Sequence, residues 1–166
     1  MTTGHRPSLS VATRRVTMGD VDAAGILYFP VPFRWHEELF TGWLKDVGHP
    51  ISGMLRDGEA CPCVGSAATY PAPAAVDDEL EMTLHPTSAG TTSFGLTTRV
   101  RRVDNGRLVV HVGSWHVWAA FTGDAANRTL SPTPLPSWLR NALADAPMTE
   151  PPAPGRPSAI TTGGQQ

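Results

Sequence analysis

Apolar and polar positions follow two different periods along this chain. Residues 9–18, LSVATRRVTM, mix β-branched and polar side chains as a strand does, and Gly19 interrupts them. Residues 19–29 hold neither period and read as a loop. From 30 to 47 the period lengthens to that of a helix: Phe33, Phe40, Trp43, Leu44 and Val47 fall on one side, and Arg34, Glu38, Thr41 and Lys45 opposite. Pro30 and Pro32 suit a first helical turn, where backbone N–H groups have no intrahelical partner, and Gly48 suits the stop. A short helical turn is expected over residues 51–56. Beyond it the pattern is that of strands, near residues 61–70, 79–85, 91–103 and 107–121. Leu80, Met82 and Leu84 mark one buried face, as do Phe94, Leu96, Thr98 and Val100. Between the last two strands, Asn105-Gly106 is a strong hairpin signal. Residues 136–144, PSWLRNALA, read as a closing helix.

The order is therefore strand, long helix, four antiparallel strands and a closing helix, an α+β arrangement. One helix cannot cover both faces of a five-stranded sheet, so another face or edge must be buried elsewhere. The last strand is apolar on both sides, with Val110, Val112 and Trp118 on one and Val109, Trp115, Val117 and Phe121 on the other. Self-association is the expectation, because a sheet face that meets water is normally polar.

Composition sharpens the boundaries. The 166 residues are 40% hydrophobic and include 16 prolines and 16 glycines. Residues 145–166 have no periodicity and are expected to be disordered, residues 1–8 to be flexible, and residues 9–144 to form one domain. Thirteen Lys and Arg against 15 Asp and Glu give no broad positive field, so nucleic acid and anionic membrane surfaces are not expected partners. No apolar run is long enough to span a membrane, and the start lacks the apolar stretch of an export signal, so a soluble cytoplasmic protein is expected. Cys61 and Cys63 lack the second ligand pair of a zinc site and are too close to bridge, and they read as small apolar side chains.

Chemistry concentrates in the loop before the long helix. Asp20 and Asp22 stand two residues apart, Gly25 follows, and the helix begins near Pro30. An aspartate in a turn needs no special explanation, being common there and at caps. Thioester hydrolysis, however, needs a group to polarise the carbonyl and one to deliver a nucleophile. Unpaired N–H groups around Tyr28 and Phe29 suit the first task, aided by the positive end of the helix dipole. A loop carboxylate suits the second, by direct attack or by activating water. Gly25 would let the backbone approach the acyl group.

The run GDVDAAGILYFP, followed by VPFRWHEELF, resembles the signature of 4-hydroxybenzoyl-CoA thioesterases. The resemblance extends more weakly through VRRVDNGRLVVHVGSWHVWA to PLPSWLRNAL, and spans residues 9–144. It implies a hot-dog fold, in which a long central helix is wrapped by a five-stranded antiparallel sheet, paired into a homodimer with sites at the subunit interface; dimers pairing into tetramers are left open. It also implies Asp22 as the catalytic carboxylate, the Phe29 backbone N–H as the carbonyl-polarising donor, Asp20 as support, and Tyr28 and Pro30 shaping the acyl pocket. No metal or organic cofactor is implied; coenzyme A enters only as part of the substrate. Some relatives carry a histidine shortly after the motif tyrosine, where this chain has Phe29 and Pro30, so histidine-assisted chemistry at this loop is not expected.

His36 and Glu37, on or beside the apolar helix face, are further candidates for the substrate pocket, against the plainer outcome of a core histidine with a hydrogen-bond partner. Arg99 and Arg101 share a strand face near Arg102 and Arg107, and are candidates for the phosphates of coenzyme A, or are solvated charges that guard a sheet edge. The function expected is hydrolysis of an acyl-CoA thioester, its acyl group aromatic or polyketide-like as in secondary metabolism. The alternatives are release of an acyl chain from an acyl carrier protein, a dehydratase or hydratase on the same scaffold, and a non-catalytic acyl-binding module.

Overall fold

The computed structural model describes residues 8–123 and 127–153; what was expected of residues 1–7 and 154–166 lies outside them. Strand β1 (Ser10–Arg15) leads through a 3₁₀ turn (Met18–Asp20) and a loop into helix α1 (Val31–Asp46) and then α2 (Ile51–Arg56). Seven strands separate α2 from the closing helix among the described residues, the first six being β2 (Glu59–Ala60), β3 (Cys63–Thr69), β4 (Glu79–Ala89), β5 (Ser93–Arg102), β6 (Leu108–Val117) and β7 (Ala119–Thr122). Strand β8 (Thr129–Pro132) and α3 (Ser137–Asp145) complete the chain. The main sheet runs β1-β4-β5-β6-β3, every pair antiparallel, and a small sheet runs β2-β7-β8.

Helix α1 lies against one face of the main sheet. Trp35 and Leu44 are fully buried, with Leu39, Phe40 and Trp43 nearly so, against Leu80, Met82 and Leu84 of β4, Phe94, Leu96 and Val100 of β5, and Val110 and Val112 of β6. The buried helical face is rotated from the one expected. Trp35 and Leu39 point inward, whereas Val47 is exposed and Phe33 only half-buried. Gly48 stops the helix at a φ of 89°, and Gly106 turns the β5–β6 hairpin at a φ of 69°, both left-handed conformations that suit glycine.

Two expectations change. The strand expected over residues 107–121 breaks at Trp118, where the chain leaves the main sheet for the small one and returns through β8. And residues 146–153, expected to be structureless, run across the outer side of the main sheet. The Thr149 N–H donates to the Pro86 carbonyl at 2.9 Å, Pro152 is buried, and a Cβ placed on Gly113 would sit 2.7 Å from Pro152 Cδ. Part of the outer apolar surface is therefore covered from within the chain.

Candidate active site

The loop before α1 is a small hairpin. Val21 bridges Leu27, the Asp22 N–H donates to the Ile26 carbonyl at 2.9 Å, and the Gly25 N–H returns to the Asp22 carbonyl at 2.9 Å. The tip needs a left-handed residue, and Gly25 supplies it at a φ of 74°. Nothing lies within 4 Å of a Cβ built there, so within this chain Gly25 is required by the turn's conformation. Asp22 sits at this tip, exposed to solvent, with one carboxylate oxygen accepting the Ala24 N–H at 2.8 Å.

Asp20 is held differently. It is buried at 4% exposure, where one oxygen accepts from the Thr17 N–H (2.9 Å) and hydroxyl (2.7 Å) and the other faces Arg34 at 3.3 Å. Its carbonyl also accepts the Tyr28 N–H at 2.8 Å. The two carboxylates thus divide their work: Asp20 ties the base of the hairpin to α1, while Asp22 is presented outward.

At the entry to α1, Tyr28 and Phe29 were both expected to offer free N–H groups. Tyr28 does not, because Asp20 takes its proton donor. No partner takes the Phe29 N–H among the described residues. Pro30 caps the helix, and the rings of Tyr28 and Phe29 pack edge to face at 5.3 Å, both exposed. Beside them stands a residue that sequence reasoning passed over. Tyr70, 42% exposed at the end of β3, donates its hydroxyl to the Phe29 carbonyl. Partial burial pushes its phenol above the usual value. The segment after Tyr70 straps the same loop: the Leu27 N–H donates to the Ala74 carbonyl at 2.7 Å, and Ile26 bridges Ala75.

The remaining candidates lie apart. His36 is within the core, its Nδ1 bonded to the Thr98 hydroxyl and its Nε2 to that of Ser114, both at 2.7 Å. Ser114 continues to His116 Nε2 at 2.8 Å, and His116 Nδ1 reaches the Cys61 carbonyl at 3.0 Å. A carbonyl only accepts, so His116 carries its proton on Nδ1, and with both rings neutral every other donor follows: Ser114 to His116, His36 to Ser114, Thr98 to His36. Burial, and then the neighbouring His116, lower the His36 pKa to about 4. Both of its nitrogens are occupied, so His36 has none left for a substrate. Glu37 is exposed on α1. Arg99 and Arg101 project from β5 on the side away from α1, next to His111, and Arg101 donates to the Gly106 carbonyl at 2.9 Å. The structure thus joins Asp22, Gly25, Tyr28, Phe29 and Pro30 in one loop and separates His36, Arg99 and Arg101 from it. Among the described residues, no group of three or more His, Cys, Asp or Glu side chains is placed to hold a metal ion, and no helix is long and apolar enough to cross a membrane.

A single long helix packed on a five-stranded antiparallel sheet is the arrangement of the hot-dog fold, shared with solved thioester hydrolases. Comparison with known proteins agrees. The chain belongs to the thioesterase-like superfamily, whose family model matches residues 16–143. It is 28% identical over 139 residues to the 1,4-dihydroxy-2-naphthoyl-CoA hydrolase of Picosynechococcus sp., covering 78% of this chain and 90% of that one. The solved 1,4-dihydroxy-2-naphthoyl-CoA thioesterase from Synechocystis superposes with a TM-score of 0.69 at 25% identity, covering 81% of this chain and 95% of that one. The 4-hydroxybenzoyl-CoA thioesterase from Pseudomonas sp. strain CBS-3, at 23% identity, shares the fold with a TM-score of 0.67 over 80% of this chain and 97% of its own.

Proposed function

We propose that this protein hydrolyses an aryl acyl-CoA thioester to the free acid and coenzyme A. The observation that carries the reading is the unpartnered Phe29 N–H at the start of α1, on the same loop that presents Asp22. The thioester carbonyl accepts that N–H, and the helix dipole favours the negative charge that grows on its oxygen. Asp22 either attacks the carbonyl carbon, expelling the thiolate and leaving a mixed anhydride that water then hydrolyses, or takes a proton from a water that attacks that carbon. In the water route the new C–O bond forms as the C–S bond breaks, and the proton taken by Asp22 passes to the leaving thiolate. The exposed rings of Tyr28 and Phe29 offer a surface on which a planar acyl group stacks, which favours an aromatic one. The names of the cyanobacterial relatives point the same way.

The working unit in this reading is a homodimer. Strand β3 ends the main sheet, and its outer edge, with Cys63 and Val64 exposed, has no neighbour among the described residues. A second copy adding its own β3 there satisfies that edge and brings a second surface up to Tyr28 and Phe29. The test is thiol release from a panel of aryl-CoA, alkyl-CoA and pantetheine thioesters, for wild type and Asp22→Asn. Turnover of an aryl-CoA that falls at least about a hundredfold in the folded variant is expected. Equal activity in the two proteins, or no turnover by wild type, refutes the reading.

A further inference from the structure

The carbonyl that Tyr70 binds is one that the helix cannot satisfy itself. In a helical first turn the Phe29 carbonyl would accept an N–H three or four residues on. The first of these is Pro32, which has no N–H, and the second, Phe33, donates instead to the Pro30 carbonyl at 3.1 Å. The Pro30-Val31-Pro32 entry therefore orphans the Phe29 carbonyl, and the Tyr70 hydroxyl fills the vacancy from 41 residues away in sequence.

That bond fixes more than one oxygen. The peptide unit preceding Phe29 is held by its carbonyl, Tyr28 O, which accepts the Val31 N–H at 3.0 Å. The unit following Phe29 is held by Tyr70. With both units clamped, neither torsion of Phe29 is free, and its N–H keeps one direction. We infer that Tyr70 is a positioning residue for the thioesterase reaction, aiming the Phe29 N–H at the thioester carbonyl by anchoring the Phe29 carbonyl.

Without the hydroxyl the N–H would wander, and a donor counts toward an oxyanion only when it is already aimed at it. The lone pairs of an unanchored Phe29 carbonyl would also be free to turn toward the same negative charge. The segment that carries Tyr70 is itself braced. Arg102 donates to Asp78 at 2.6 Å and to the Pro73 carbonyl at 3.1 Å, and Asp78 accepts the Ala75 N–H at 2.7 Å. The clamp is thus mounted on the edge of the main sheet.

The inference rests on the proposed function, and the experiment separates the two. First, kcat and KM are measured for wild type, Asp22→Asn and Tyr70→Phe with benzoyl-CoA and 1,4-dihydroxy-2-naphthoyl-CoA. Tyr70→Phe keeps the ring and is expected to keep the wild-type melting temperature. Its kcat should fall roughly three- to tenfold, the scale of one neutral hydrogen bond, while KM changes by less than about twofold. Second, the faster of the two thioesters, labelled with carbon-13 at its carbonyl, is bound to Asp22→Asn and to Asp22→Asn/Tyr70→Phe, and the carbonyl stretch is read by difference infrared spectroscopy. In Asp22→Asn the band should lie below that of free thioester, and removing the Tyr70 hydroxyl should move it back toward the free position. An unchanged band, an unchanged kcat, or a matched loss of kcat and melting temperature without a band shift overturns the role of Tyr70 and leaves the function standing. An Asp22→Asn protein as active as wild type, or no turnover by wild type, refutes the proposed function as stated, and the Tyr70 proposal with it.

Discussion

Mild acid should destabilise this protein through the buried His36. In the folded chain its pKa is held at about 4 by burial, helped by His116, against 6.5 for an ordinary histidine. As pH falls through that interval the unfolded chain takes up a proton that the folded chain refuses, so the unfolding free energy falls. The contribution is fully present above the unfolded value and lost below it. Integrating across the interval gives a loss of about 2 kcal/mol by pH 5 and about 3 kcal/mol by pH 4. That is a large part of the roughly 5–15 kcal/mol that holds a typical domain folded. His116 and His111 are shifted the same way, mainly by burial, and add to the slope. Urea unfolding followed by tryptophan fluorescence at fixed protein concentration, from pH 7.5 to 4.5, measures the effect. The variant His36→Gln isolates it: less stable at neutral pH, it should show a slope shallower by about one proton, near 1.4 kcal/mol per pH unit. A wild-type stability that stays level from pH 7 to 5, or a variant that runs parallel to wild type, would refute the assignment.

Two further outcomes are expected. Gly25→Ala should cost about 1–2 kcal/mol of strain at a φ of 74°, and because the strain falls on the turn that presents Asp22, thiol release should drop more than the melting temperature suggests. Ending the chain after residue 145 instead of after 153 should cost about 1–3 kcal/mol in urea unfolding, since buried Ala146 and Pro152 are lost from the sheet, and the shorter protein should bind more of a hydrophobic dye.

Much of the fold was legible because its elements carry strong local signals. Helix α1 follows from its period and its flanking Pro30 and Gly48, and the β5–β6 hairpin from Asn105-Gly106. The break at Trp118 was hidden because apolar residues continue through it; what ends β6 is the chain's departure to pair with β2, a long-range event. Residues 146–153 were hidden in a similar way: they are proline-rich and have no period because they pack as an extended strap over Pro86 and Gly113. Of the candidate site, the sequence already places Asp22 and Phe29 on one loop, as the structure does. For His36 the apolar neighbours on α1 favoured the core outcome, which the structure shows, but its partners Thr98 and Ser114 lie on distant strands and were not legible. The signal for Tyr70 was present in part. A second proline at position 32 announces a carbonyl in need of a donor, although only the folded chain shows who provides it.

The run from Thr98 through His36, Ser114 and His116 to the Cys61 carbonyl has a direction, since each hydrogen is donated toward the next residue. A string of this kind responds to substitution as a unit. Swapping one member for an apolar residue strands its neighbours, whereas exchanging all four side chains at once for well-packed hydrocarbons strands nobody. Anyone reshaping this scaffold for a new acyl group should therefore treat these positions as a single gene-level block, moved whole or replaced whole, and leave single-site libraries to the loop that bears Asp22.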